Sequence, residues 1–404
     1  MKATMRSAAA LYATVLPLLA TLAQSASSQD EILQVRAKEV VLSDGSRLEN
    51  GVVVVRNGKI ERVGKLDLDD TKPFLEHDGV LTAGLIACQT LSGMGTEAHD
   101  GTRSLLPEAR IAHAHSPRHS DFEKALEVGI TSVVLTPTDE NLAGGLTAVV
   151  KTAGGTVVAK EAHLTLSFSV HAFASQPQRF GRFFSGEDDG AAEDGGLEDT
   201  ESDSRSSRSP TSYAGALLAL DRRLEDETGA FSRAAKGQLP VLLTAWDRNE
   251  VARAARFASA NRLAGAIRGA PLAADPGLLP LIRASKLAVV LGPFAVGHKT
   301  RALEAVKALQ DAGVPVGFAL DAPSSAPANF RLTAALAIAA GADRTEVLRS
   351  MTIVGARIAG VESRVGSLEA GKDADFVLWS GDPLDLSSRV EAVFVDGKPA
   401  WRNR

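Results

Sequence analysis

The residues in this sequence that most look like a ligand set for a divalent metal are His113-Ala114-His115, with His119 close behind. Imidazoles at i and i+2 can converge on one ion when they leave the same face of a strand. This trio instead precedes a helix rather than ending a strand, so it is expected on the wrong side of the fold to form a metal centre. His171 closes an alternating, strand-like stretch from His163 to Val170, where a pocket or packing histidine is expected. No histidine lies between His171 and His298. Asp321, in Leu320-Asp321-Ala322-Pro323, sits where a strand turns into a helix. It can close that turn as a short acceptor or act as a proton acceptor for chemistry. Cys88 is the sole cysteine, which excludes an intrachain disulfide, and nothing near it in sequence marks a lowered thiol pKa.

The elements that must position these residues form two patterns. From about Gly84 to Gly360, short apolar strands alternate with longer amphipathic helices, the signature of parallel βα units. Asp247 with Glu250 predicts a capping box for a helix over Val251 to Asn261. Asp343 and Glu346 open another, running Val347 to Ile358. About eight strands are expected, hence an α/β fold with a (β/α)8 TIM-type barrel over residues 81–363. Outside this region the character is β. Asn57-Gly58 and Asp396-Gly397 are two-residue hairpin signals, and residues 31–80 and 364–404 are expected to pair into one small composite β-sandwich.

The 404 residues, 45% hydrophobic and 23% charged, suffice for a sizeable core, and a net charge of −5 gives no reason to expect nucleic acid or an anionic membrane as a partner. Residues 1–28 have a basic start, an apolar run from Ala8 to Ala23 and a polar, small-residue end, the layout of a secretory signal peptide. The expectation is export to the periplasm, cell envelope or medium, with no membrane span in the mature chain. Residues 186–209 are rich in Glu, Asp, Gly and Ser and read as a disordered acidic insertion.

Ala83-Gly84-Leu85-Ile86-Ala87-Cys88-Gln89-Thr90-Leu91 resembles the amidohydrolase signature Pro-Gly-Leu-Ile-Asp-x-His-x-His. Gly366-Ser367-Leu368-Glu369-Ala370-Gly371-Lys372-Asp373-Ala374-Asp375-Phe376-Val377, Gly381-Asp382-Pro383 and Val393-Phe394-Val395-Asp396-Gly397-Lys398 resemble the closing segment of the same superfamily, imidazolonepropionase-like members in particular. Gly144 to Lys151 and the Asp321 turn add to the resemblance. It implies hydrolysis of cyclic-amide C–N bonds by a metal at the strand C-termini. The ligands would be two histidines after strand one, a lysine or histidine on strand four, histidines after strands five and six, and an aspartate after strand eight.

At the matching positions this sequence has Gln89, Leu91 and Thr244, and only Asp321 agrees outright. Leucine cannot ligate, and a glutamine carbonyl replaces imidazole poorly at zinc. The expectation is therefore a protein with no metal or other cofactor and no metal-dependent activity. It would act as a binding or partner subunit, with a small-molecule ligand in the barrel mouth or a homologous subunit as its partner. Asp321 is the candidate catalytic residue, and Gln89, Lys151, His171 and Thr244 are the candidate ligand-binding residues. The rival expectation is an active C–N hydrolase with an unorthodox site of Asp321, Lys151 and His171, zinc entering only there.

Overall fold

The computed structural model describes residues 31–94, 100, 103–173 and 210–403. The expected signal peptide and the expected acidic insertion lie outside the described residues.

The chain opens with strands β1 (Ile32–Val41), β2 (Arg47–Arg56), β3 (Lys59–Gly64) and β4 (Phe74–Ala83). The central region then supplies β5 (Leu85–Thr90), β6 (Ile130–Leu135), β7 (Ala143–Leu146), β8 (Ala148–Lys151) and β9 (Val157–Ala159). It continues with β10 (Leu164–Ser167), β11 (Val241–Ala245), β12 (Gly265–Gly269), β13 (Ala288–Leu291) and β14 (Val316–Phe318). The end of the chain adds β15 (Phe376–Trp379), β16 (Val390–Val395) and β17 (Lys398–Arg402).

Strands from both chain ends form a single sheet in the order β17-β16-β15-β4-β1-β2-β3. The sheet curls on itself, Ile60 exchanging backbone bonds with Gly371 and Lys372, so that β3 returns to the segment leading into β15. β4 pairs with β1 in parallel on one side and with β15 antiparallel on the other, so one strand joins the two contributions without a second sheet. Period-two alternation divides the sheet's faces. Phe376 and Leu378 enter a cluster with Val35, Val53, Leu81 and Phe394, whereas Val377 and Trp379 pack into the main core with the barrel elements. Both hairpin turns, Asn57-Gly58 and Asp396-Gly397, have positive φ at both residues, the type I′ condition that glycine meets without strain.

The barrel strands form two sheets, β5-β6-β8-β9 and β14-β13-β12-β11-β10-β7. Backbone bonds join them at both seams: Leu320 N–H donates to the Gln89 carbonyl, and Thr147 exchanges bonds with Ala162 and His163. β5 and β6 are parallel, as are β10 through β14. β8 and β7, in the third place of the ring, run antiparallel to their neighbours β6 and β10. The regular βα alternation is therefore broken at one position. The strands are buried along nearly their whole length, as sheets covered on both faces must be.

The capping box of Asp247 and Glu250 is formed, opening a helix Arg248–Ala260. The helix expected over Val347 to Ile358 is instead two, Arg344–Ser350 and Ile353–Ile358, because Thr352 leaves helical geometry between them.

Candidate functional site at the C-terminal ends of the barrel strands

In a barrel of this kind the strand C-termini carry the functional loops. Alternation along the strands identifies which residues face inward: Leu242, Ala266, Ala288 and Val290 share an interior cluster with Cys88 and Ala319. Thr244 and Arg268 lie two residues further on and are register partners on β11 and β12, the fifth and sixth strands of the ring. Both therefore point into the mouth, in the layer above that cluster. Gln89 closes β5 and donates from Nε2 to Asp321 Oδ1 at 3.3 Å. Asp321 follows β14 with φ of 53°, in the left-handed region, its own N–H directed at the Gln89 carbonyl. Gln89, Thr244 and Asp321 thus gather at one end of the barrel.

Arg268 was not among the residues singled out from sequence, and it dominates the charge of this end. It is 7% exposed. Among the described residues Nη1 reaches only the Pro137 carbonyl, at 3.5 Å, and the guanidinium lies 5.6 Å from the Trp246 ring centroid. Among the described residues Nε has no acceptor. Burial pushes the Arg268 pKa below its usual value, against the opposing pull of Asp139, Asp321 and Glu140. The sequence signal was present: an arginine inside the strand Gly265-Ala-Ile-Arg-Gly is a charge where burial forbids an idle one.

His171 lies beyond β10, half-exposed, its Nδ1 3.6 Å from Asp139 Oδ2. Asp139 also accepts from Trp246 Nε1 at 2.8 Å. Buried Glu250 ties this rim together, accepting from Val170 N–H, Tyr213 Oη–H and Trp246 N–H. Two of the three histidines at 113–119 serve the fold. His115 bridges the carbonyls of Ala112 and Gly155, and His119 caps the helix Ser120–Leu126. Cys88 is enclosed, and burial raises its thiol pKa to about 12.

Lys151 departs from the expected ligand-binding place. β8 runs antiparallel, pairing Lys151 with Ser132 near the start of β6 while Ala148 pairs with Leu135 at its end. The lysine is thereby carried to the opposite end of the barrel. Its ammonium, fully buried, contacts Asp373 at 2.8 Å, Asp375 at 3.1 Å and Asp396. It is the joint between barrel and terminal sheet.

Asp375 has one oxygen without a hydrogen-bond partner, and burial lifts its pKa to about 6 although Lys151 pulls it down. The sign follows from linkage. Between roughly pH 4 and 6 the folded chain keeps a proton that the unfolded chain releases, so this group's contribution is present in acid and lost as pH rises, at up to about 1.4 kcal/mol per pH unit. Asp375→Asn should remove that slope from the pH dependence of urea unfolding. A wild-type-minus-variant difference that stays flat across the window would show that Asp375 ionises normally.

The C-terminal part of the chain, residues 250–400, matches the Amidohydrolase family model. The chain is 30% identical over 167 residues to the imidazolonepropionase of Agrobacterium fabrum, covering 40% of this chain and 39% of that protein. It is also 34% identical over 110 residues to that of Legionella pneumophila, covering 26% and 27%. The fold matches an amidohydrolase structure from Thermotoga maritima with a TM-score of 0.75, at 22% identity over 92% of this chain and all of the other. Residues 250–400 thus resemble the amidohydrolase family, and the chain as a whole shares the fold of an amidohydrolase structure. The aligned segments span about two-fifths or less of these imidazolonepropionases. A prolidase structure complexed with N-methylphosphonate-L-proline shares the fold of this chain more distantly, with a TM-score of 0.55 at 17% identity.

The metal that the resemblance implies can be tested against this donor set. No group of three His, Cys, Asp or Glu able to hold a metal occurs among the described residues. More directly, the inward residue at the end of the sixth strand is a guanidinium, which carries a fixed positive charge and no lone pair for ligation. The described residues do not fit a divalent metal.

Proposed function

We propose that this amidohydrolase-fold protein uses its barrel mouth to bind a small acidic molecule and does not carry out metal-assisted hydrolysis. Its role on this reading is that of a binding or partner subunit, exported on the strength of its N-terminal sequence. The observation that carries the reading is Arg268. A buried guanidinium with unused donors calls for an acceptor, and a carboxylate meets it in the bidentate geometry that such pairs favour. Asp321, already held by Gln89, stands ready to accept an N–H from the same ligand. The rival hydrolase built on Asp321, Lys151 and His171 loses its lysine to the other end of the barrel.

The test pairs metal analysis with ligand titration. The purified full chain is expected to hold no equimolar metal after gentle chelation. Glycyl-proline and related carboxylates should raise its melting temperature, and Arg268→Met should abolish that rise. Retained equimolar metal that is lost in Asp321→Asn, together with hydrolysis of a cyclic amide or dipeptide, would overturn the proposal.

A further inference from the structure

The opposite end of the barrel holds a second place for a ligand, independent of the mouth. Where β11 to β14 begin there is a cavity of about 490 Å³, within the range of small-molecule sites. Ala288, Val316, Val354 and Ile358 give it an apolar wall. Ile358 also packs against the interior cluster that contains Cys88 and Val290, so the wall is continuous with the barrel core.

The polar lining is predominantly cationic. Arg349 is paired with Glu346 at 2.6 Å. Lys286 and Arg357 also line the cavity, and neither has an ion-pair partner among the described residues. Two uncompensated cations beside apolar wall in a chain of net charge −5 are a local excess that a bound anion would offset. Gln310 adds a donor of defined direction. Its Oε1 is taken by the Asp343 N–H at 2.8 Å, which fixes the amide, while its buried Nε2 has no acceptor.

We propose that this cavity binds a small organic anion with an apolar body. The acidic group would be held by Lys286, Arg357 and the Gln310 amide, and the body would lie on Val354 and Ile358. Unlike the mouth ligand, this occupant needs no N–H to offer, because the one acidic lining residue, Glu346, is already engaged by Arg349.

The probe is 8-anilinonaphthalene-1-sulfonate, an aromatic sulfonate titrated fluorimetrically into the full chain, with octanoate as competitor. Saturable one-to-one binding displaced by octanoate is expected. Lys286→Glu with Arg357→Glu should weaken it at least about tenfold, and since both side chains are exposed the melting temperature should hold. Val354→Trp should fill the cavity and remove binding. Arg268→Met, at the mouth, should leave it unchanged, so this proposal and the proposed function fail separately. Unsaturable binding, unchanged affinity in the charge-reversed variant, or loss in Arg268→Met would overturn it.

Discussion

Lys151→Met should lower the free energy of unfolding by about 3–5 kcal/mol, the cost of breaking a buried ion network by deleting one sign of charge. The ammonium and the Asp373 carboxylate are fully buried and Asp375 nearly so. Burial alone would lower the lysine's pKa, but Asp375, Asp373 and Asp396 outweigh it and hold the value above normal. The lysine's contribution is thus present at neutral pH and is lost only as pH rises past the ordinary lysine range. After the substitution Asp373 keeps Lys59 and Arg364, whereas Asp375 keeps only the Asp396 N–H. Adding Asp375→Asn to Lys151→Met should therefore recover a large part of the loss. Urea midpoints of the single and double variants provide the measurement. A loss under about 1 kcal/mol for Lys151→Met would mean that the ammonium does not hold barrel and sheet together.

That lysine also shows where the sequence was legible and where it was not. Local chemistry transferred well: the Asp247–Glu250 capping box and the type I′ turns at Asn57-Gly58 and Asp396-Gly397 are each set by a few adjacent residues. Strand direction was not local. Gly144 to Lys151 has the same apolar pattern whichever way it runs, and only pairing with β6 and β10 shows that it is antiparallel. The reversal decides which end of the barrel receives Lys151. The mouth was half legible for a related reason. Searching for histidines identified Gln89, Leu91 and Thr244 by what they lack, but Arg268 emerges only when register sets it beside Thr244. Sequence places an arginine in a strand; the fold places it inside with donors unspent.

The second large effect is an attempt to install a metal site at the barrel mouth. Gln89→His, Leu91→His and Thr244→His together should not yield tight zinc binding, whereas adding Arg268→His should. The three histidines, with Asp321, supply donors of suitable type and number. With Arg268 unchanged, however, the ion must share the mouth with a permanent cation. At a separation of about 6 Å and an effective dielectric near 20, a +2/+1 pair repels by about 5.5 kcal/mol, which is about four orders of magnitude in affinity. Arg268→His removes that charge and supplies a further imidazole from the inward position opposite Thr244. Zinc affinity by competition with a chromophoric chelator gives the readout, and circular dichroism separates misfolding from lost affinity. If the folded triple variant bound zinc as tightly as the quadruple one, Arg268 would not occupy the place of the metal, and its unused donors would need another explanation. If the affinities separate as expected, the cation of Arg268 keeps metal from this end of the barrel as much as the lack of histidines does.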